Sequence, residues 1–280
     1  MTSDLSQAHV EVGDVVRVER LGALVEITVA LPHLASTVRP GQFAQLRCGD
    51  GVVPLLRRPF SVAWVDGDEC AFVFEEVGIG TRLLGSLRSG DTLDVLGPLG
   101  RGFTIGNGGR AVIVSGGVGC APFPILIGAL AVAGVVDVTV LSGASTVARL
   151  YPASRFRRGR NIEVREITED GTAGDRGLVT DLLDVALDGA STSLYACGPN
   201  QMLAAVWDRA HAILDTGAIA EASMEAPMGC GYGTCLGCAL PTRTQDAEPR
   251  WALCCTDGPV MAMRDIDWDG VRALPGADVA

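Results

Sequence analysis

Five of the nine cysteines in this 280-residue chain fall within its last fifty-one positions, at 230, 235, 238, 254 and 255. The first three belong to MGCGYGTCLGC, residues 228–238, which also holds four glycines. Cys230-x4-Cys235-x2-Cys238 with a further cysteine downstream is a spacing that holds a [2Fe-2S] cluster through four thiolates. Zinc ribbons prefer two close pairs, and inert buried thiols need no glycines. A loop wrapped round an anionic cluster must turn repeatedly and aim backbone N–H groups at sulfur, a task suited to Gly229, Gly231, Gly233 and Gly237. Spacing alone leaves the fourth ligand open between the adjacent Cys254 and Cys255.

Three other stretches suit phosphate or nucleotide binding. RRPFSV (57–62) sets a guanidinium and a hydroxyl three residues apart on a strand-like run, and alternation there places Arg58 and Phe60 on one face and Ser61 on the other. A bend at Pro59 is the one thing that would break that alternation. EEVGIGTRLL (75–84) leads from Gly78, Gly80 and Thr81 into a helical segment whose N-terminus suits a pyrophosphate. VSGGVGCAPF (114–123) reads as strand, glycine turn and helix start, with Pro122 placed where its missing donor costs nothing. It does not fit GxGxxG, and the next strand, VTVLSGAS, ends without the acid that binds a ribose. Cys48, Cys70 and Cys120 read as small core residues. Cys197, in YACGPNQML, reads equally as a core thiol and as part of a site at a strand's carboxyl end.

The elements that position these residues are legible in outline. Short strand-like runs up to Phe103 (10–19, 24–30, 43–47, 60–65, 71–77 and 92–96) predict a small antiparallel barrel. From Arg110, AVIVS, VDVTVLS, IEVREI and SLYACG alternate with helical stretches, the clearest at 200–214, and predict an α/β unit with a parallel sheet. The expected division is a barrel over 1–105, a nucleotide-binding domain over 106–222 and a small cluster-binding lobe over 223–280. A net charge of −11 argues against nucleic acid. Lysine is absent, so every fixed side-chain cation is arginine. No secretory signal is visible at the N-terminus, which makes the cytoplasm the expected location. Residues 111–136 carry no charge and are long enough for a membrane span, but their glycines and prolines favour a buried βαβ unit.

Taken in order, RPFS, GIGT, GPLG (97–100), GGVGCAP, CGP (197–199) and the cysteine tail with CTDGPV resemble ferredoxin–NADP reductase-like proteins. With the tail included, residues 10 to 262 resemble the electron-transfer subunits of NAD-dependent class 1B dihydroorotate dehydrogenases. The resemblance implies FAD, a [2Fe-2S] cluster and NAD as cofactors, and no catalytic acid or base in this chain. It implies that Arg58, Pro59, Phe60 and Ser61 hold the flavin, Arg58 at its phosphate and Ser61 near the isoalloxazine. Gly78, Gly80 and Thr81 match the FAD pyrophosphate loop, and Gly116, Gly117 and Gly119 match the NAD phosphate turn. Cys197, Gly198 and Pro199 match the nicotinamide-side loop. Cys230, Cys235, Cys238 and Cys255 match the cluster ligands, the C-x-D-G-P spacing selecting Cys255 over Cys254. Cys120 stands where an aliphatic residue is expected. The implied partner is an FMN-containing dihydroorotate dehydrogenase catalytic subunit, two of each chain forming a heterotetramer. The cluster loop is expected to form much of that interface with Leu236 on its exterior, the alternative being that Leu236 packs inward. A reductase of the same build serving a hydrogenase, a sulfur reductase or an electron-bifurcating complex is the rival reading, and a zinc or redox-sensing adaptor a more distant one. The loop SGASTVARLYP offers Ser142, Ser145 and Arg149 near the ribose and so predicts NAD over NADP, although Arg155, Arg157 and Arg158 follow closely.

Overall fold

The computed structural model describes residues 5–49, 51–106, 109–156, 161–187, 192–215, 217–244 and 246–274. Its first unit is built from β1 (His9–Leu21), β2 (Leu24–Ala30), β3 (Phe43–Leu46), β4 (Arg58–Asp66), β5 (Glu69–Glu75) and β6 (Thr92–Leu99). These close into an antiparallel barrel in the order β1-β2-β5-β4-β3-β6. β1 is long enough to serve two neighbours, its first half pairing with β6 and its second, after an irregularity between Val15 and Arg17, with β2. Val25, Ile27, Val29, Leu46, Val62, Phe72, Phe74 and Val95 fill the interior. Burying each such side chain contributes about 1.5–3 kcal/mol, and closure leaves no free strand edge. α1 (Pro32–Thr37) opens on a proline and buries Leu34. α2 (Ile79–Gly85) follows β5, with Gly78 at its N-cap.

Beyond residue 109 strands and helices alternate. β7 (Arg110–Gly116) runs into a 3-10 turn at Gly117–Cys120 and α3 (Phe123–Val132). There follow β8 (Asp137–Ala144), α4 (Ala153–Phe156), β9 (Ile162–Thr168), the short β10 (Asp175–Arg176), α5 (Leu183–Ala186), β11 (Thr192–Cys197), α6 (Asn200–Ala210) and β12 (Ala220–Ser223). α6 stops four residues before the predicted end, where the N–H groups of Ile213 and Leu214 both turn back to the Ala210 carbonyl. The uncharged run 111–136 is β7, the turn, α3 and the approach to β8. Ala111–Val114 and Phe123, Leu126, Ile127 and Leu130 are buried, as a strand covered on both faces requires. Among the described residues no helix is long and apolar enough to cross a membrane.

The tail adds a hairpin of β13 (Ala239–Arg243) and β14 (Pro249–Leu253), then β15 (Val260–Ala262) and α7 (Trp268–Ala273). The seven-stranded sheet has the order β10-β9-β8-β7-β11-β12-β15, parallel throughout except for β15, which pairs antiparallel with β12. One core runs from Val112, Val114 and Leu194 through Ala222 and Met224 to Cys238, Cys254 and Trp268, and Phe43 and Leu99 of the barrel join it. The cysteine loop therefore lies against barrel and sheet at once. Polar contacts fix the same geometry. Tyr195 donates to the Thr104 carbonyl at 2.8 Å, and the Glu221 carboxylate accepts from the Thr104 N–H and hydroxyl at 2.8 and 2.7 Å. Buried Glu26 of β2 accepts from Tyr151 at 2.6 Å and from Arg155 at 3.0 Å, and Arg155 also reaches Glu19.

Candidate functional site

A cleft of about 660 Å³ opens where the barrel meets the carboxyl ends of β7, β8 and β11, the position at which open α/β sheets bind ligands. The barrel contributes Phe43, Pro59, Phe60, Ser61, Val73 and Glu75 to its walls. The alternation expected of RRPFSV holds in the register: Ser61, opposite Phe43, faces the cleft, while Arg58 and Phe60 lie opposite Leu46 and Ala44 on the barrel's inner side. Phe60 packs against the barrel core, tilted against Phe74, and its edge also reaches the cleft wall.

Opposite stand Gly116, Gly117 and Gly119 with Cys197, Gly198 and Pro199. Close packing explains Gly119: a Cβ there would sit 2.6 Å from the Cys197 carbonyl carbon and 2.7 Å from the Gly198 Cα. The glycine turn and the loop after β11 are thus pressed together. Burial pushes the Cys197 thiol up to about 12, while Ser223 lowers it, so this thiol is protonated at neutral pH and lines the cleft as a small neutral wall. Cys48, Cys70 and Cys120 are buried, and burial raises the thiol of each.

Arg58, Gly78, Gly80 and Thr81 lie beside the cleft rather than in its wall. A Cβ on Gly80 would meet Arg58 Nε at 3.4 Å and Cys48 Sγ at 3.2 Å, so the guanidinium stem lies over the first turn of α2. Thr81 Oγ1 accepts the Gly78 N–H at 3.0 Å and donates to the Gly78 carbonyl at 3.1 Å. The threonine hydroxyl shapes this loop from within. A cation next to backbone N–H groups at a helix start suits a pyrophosphate.

The four cysteines named for the cluster form two pairs. Cys238 Sγ and Cys255 Sγ are 3.2 Å apart, and Cys230 Sγ accepts the Cys235 N–H at 3.5 Å. Among the described residues no three His, Cys, Asp or Glu side chains converge as one metal ion would require, whereas a two-iron cluster takes two thiolates on each iron. Burial raises the Cys230 thiol, but N–H groups of Cys235, Tyr232 and Thr234 outweigh it and bring the group down to about 7. The hydrogen bond from Cys255, joined by backbone N–H groups, brings Cys238 down to about 6. One sulfur of each pair thus favours thiolate before any metal binds, while the hydrogen bond to Cys238 and burial push the Cys255 thiol up, and four thiol donors in two pairs fit a [2Fe-2S] cluster. Cys254 turns the other way, donating to the Met224 carbonyl at 3.4 Å inside the core.

Two features were not read from the sequence. Glu75, at the end of β5, grips Arg149 in a two-point ion pair across the cleft, Nε to Oε1 at 2.8 Å and Nη2 to Oε2 at 2.5 Å. Arg155 is likewise held by the barrel, and Arg157 and Arg158 lie outside the described residues. Glu225, Met224 and Met228 close the cleft toward the cysteine loop. Nothing in EEVGIGT singles out its first glutamate, because the pair joins residues 74 positions apart.

The family described as the iron-sulfur cluster binding domain of dihydroorotate dehydrogenase B matches residues 225–267. The electron transfer subunit of dihydroorotate dehydrogenase B (NAD(+)) from Geobacillus thermodenitrificans is 37% identical over 247 residues, covering 86% of this chain and 91% of that protein. The same-named protein of Desulforamulus reducens is 34% identical over 242 residues, covering 85% and 90%. Among solved structures, an NADH-dependent reduced ferredoxin-NADP oxidoreductase, described in connection with flavin-based electron bifurcation, matches with a TM-score of 0.79 and 28% identity over 93% of this chain and 91% of that one. A ferredoxin NADP+ reductase from Neisseria gonorrhoeae, at TM-score 0.57 and 17% identity over 73% of this chain and 91% of its own, shares the fold. With the barrel, the glycine turn and the paired cysteines already in place, the chain belongs to the family of dihydroorotate dehydrogenase B (NAD+) electron transfer subunits.

Proposed function

We propose that this chain passes electrons from an FMN-containing dihydroorotate dehydrogenase catalytic subunit through a [2Fe-2S] cluster and FAD to NAD+. The observation that carries this reading is the cysteine loop, with two sulfur pairs, packed against the barrel face that lines the same cleft as the nucleotide turn. When bound, FAD supplies the exchange between a hydride and single electrons, which neither NAD nor an iron–sulfur cluster performs alone. Everything the chain itself does is binding, orientation and exclusion of water. Cys230, Cys235, Cys238 and Cys255 hold the cluster. Arg58 neutralises flavin phosphate beside Gly78, Gly80 and Thr81, while Pro59, Phe60 and Ser61 form the platform for the ring. Gly116, Gly117 and Gly119 admit the NAD pyrophosphate close to the backbone. Cys197, Gly198 and Pro199 face the nicotinamide, and the protonated thiol of Cys197 adds no charge there. The dihydroorotate chemistry itself is assigned to the partner. We assign the barrel to 1–105, the NAD domain to 106–222 and the cluster lobe to 223–280, and two copies of each subunit to a cytoplasmic heterotetramer.

The purified chain should contain about two irons, two sulfides and one FAD, reduce artificial dyes with NADH, and oxidise dihydroorotate with NAD+ only when joined to the catalytic subunit. A colourless preparation containing zinc alone would refute the assignment. The structural likeness to the oxidoreductase described for electron bifurcation favours one second reading, service in another multisubunit complex. Failure of dihydroorotate-dependent NAD+ reduction in the assembled pair, with cofactors present, would select it.

A further inference from the structure

Gln45 is fully buried, and neither its Nε2 nor its Oε1 has a hydrogen-bond partner. Leaving a buried amide unpaired costs about 1–3 kcal/mol for each group, so a structure that retains one has a use for it. The strand explains where the amide points. On β3, Ala44 and Leu46 enter the barrel core, while Phe43 and Gln45 face outward. Gln45 pairs across the sheet with Pro59 on one side and Leu96 on the other, and Phe43 pairs with Ser61. Phe43, Pro59 and Ser61 line the cleft, so Gln45 lies at the edge of the flavin platform. Against it stands the cysteine loop. A Cβ on Gly231 would lie 2.6 Å from Gln45 Nε2, 2.8 Å from its Cγ and 3.1 Å from its Cδ. Gly231, at φ +84°, immediately follows Cys230.

We infer that the Gln45 carboxamide serves the iron–sulfur centre, with Nε2 donating a hydrogen bond to a sulfur on the barrel side of the cluster and raising its reduction potential. Reduction adds negative charge to the sulfurs, so a donor there stabilises the reduced form more than the oxidised one. The amide stands at the boundary between flavin platform and cysteine loop, where a matched potential matters for transfer. This inference rests on the cluster assignment above, which metal and sulfide content tests separately.

The test is an EPR-monitored redox titration of the full chain carrying FAD and cluster, comparing wild type with Gln45→Leu and Gln45→Met. Both substitutions keep the volume and remove the donor, and neither leaves an unpaired polar group. The reduced-to-oxidised ratio of the cluster at fixed ambient potential should fall about tenfold, a 59 mV drop for one electron. Gly231→Ala, whose methyl group displaces the amide, should shift it in the same direction. Pulsed EPR of wild type carrying side-chain 15N-glutamine should show a coupling to the cluster that is absent in Gln45→Leu. Should the leucine and methionine variants lose the cluster, the isotope experiment on wild type decides alone. A change of less than twofold in the variants, a shift confined to the flavin couple, or no nitrogen coupling in wild type overturns the inference.

Discussion

Two of the glycine-rich loops in this molecule differ in what glycine does at one position of each. In the turn after β7 the protein itself demands it: Gly119 has no room for a methyl group against the backbone of Cys197 and Gly198. In the cysteine loop Gly237 meets ordinary spacing, with a Cβ there lying 3.7 Å from Cys235 Sγ. At these two positions packing against the protein demands glycine in the first loop and not in the second, although Gly231 of the cysteine loop is itself pressed against Gln45. Their side chains differ as well. Val118 of the first loop lines the cleft, whereas Leu236 of the second is 63% exposed and held at φ +60°. A left-handed leucine costs about 1–3 kcal/mol. An exposed apolar side chain kept at that cost is the one to test as a contact with a partner.

The largest effect should come from breaking the first loop. Gly119→Ala should lower stability by about 2–3 kcal/mol and abolish NADH-to-dye turnover, because only backbone movement relieves the clash. Gly237→Ala should leave thermal unfolding of the cluster-free chain nearly unchanged while reducing iron content. Equal losses of stability in the two variants would erase the contrast. Within the cysteine loop, Cys255→Ser should remove the visible absorption of the cluster. Cys254→Ser should keep it at a cost of about 1 kcal/mol, since a hydroxyl replaces the thiol that bonds the Met224 carbonyl. The reverse pattern in visible spectra would exchange the two roles.

Smaller effects probe the surfaces of the two loops. Leu236→Glu should impair electron transfer between subunits severalfold and spare NADH-to-dye activity. A parallel fall in both activities and in cluster content would place this residue inside the fold. On the cleft side, Glu75→Gln should free Arg149 for a 2′-phosphate and raise the NADPH to NADH ratio of kcat/KM about tenfold, the worth of one charge-assisted hydrogen bond. Restoration of the original ratio by a second substitution, Arg149→Gln, would show that the arginine is the agent. No gain in the single variant would mean that NAD preference is set elsewhere.

The recognisable parts of the chain are those whose chemistry is local. Cys-x4-Cys-x2-Cys with intervening glycines announces a cluster loop because three of its four ligands and its turns lie within eleven residues. The six barrel strands and the βαβ rhythm are legible because burial on one or both faces writes a period into the sequence. Strand ends and the length of α6 escaped that reading, since turns decide them. Spacing by itself left Cys254 and Cys255 equal, the resemblance chose Cys255, and their packing differs: one thiol points at Met224 in the core and the other at Cys238. Tertiary structure alone brought Arg149 to Glu75, Arg155 to Glu26, and Gln45 to Gly231. Each of these pairs joins residues more than seventy positions apart. A polar side chain on a strand carries no mark of the loop that will fold over it, whereas a cluster ligand carries its spacing with it.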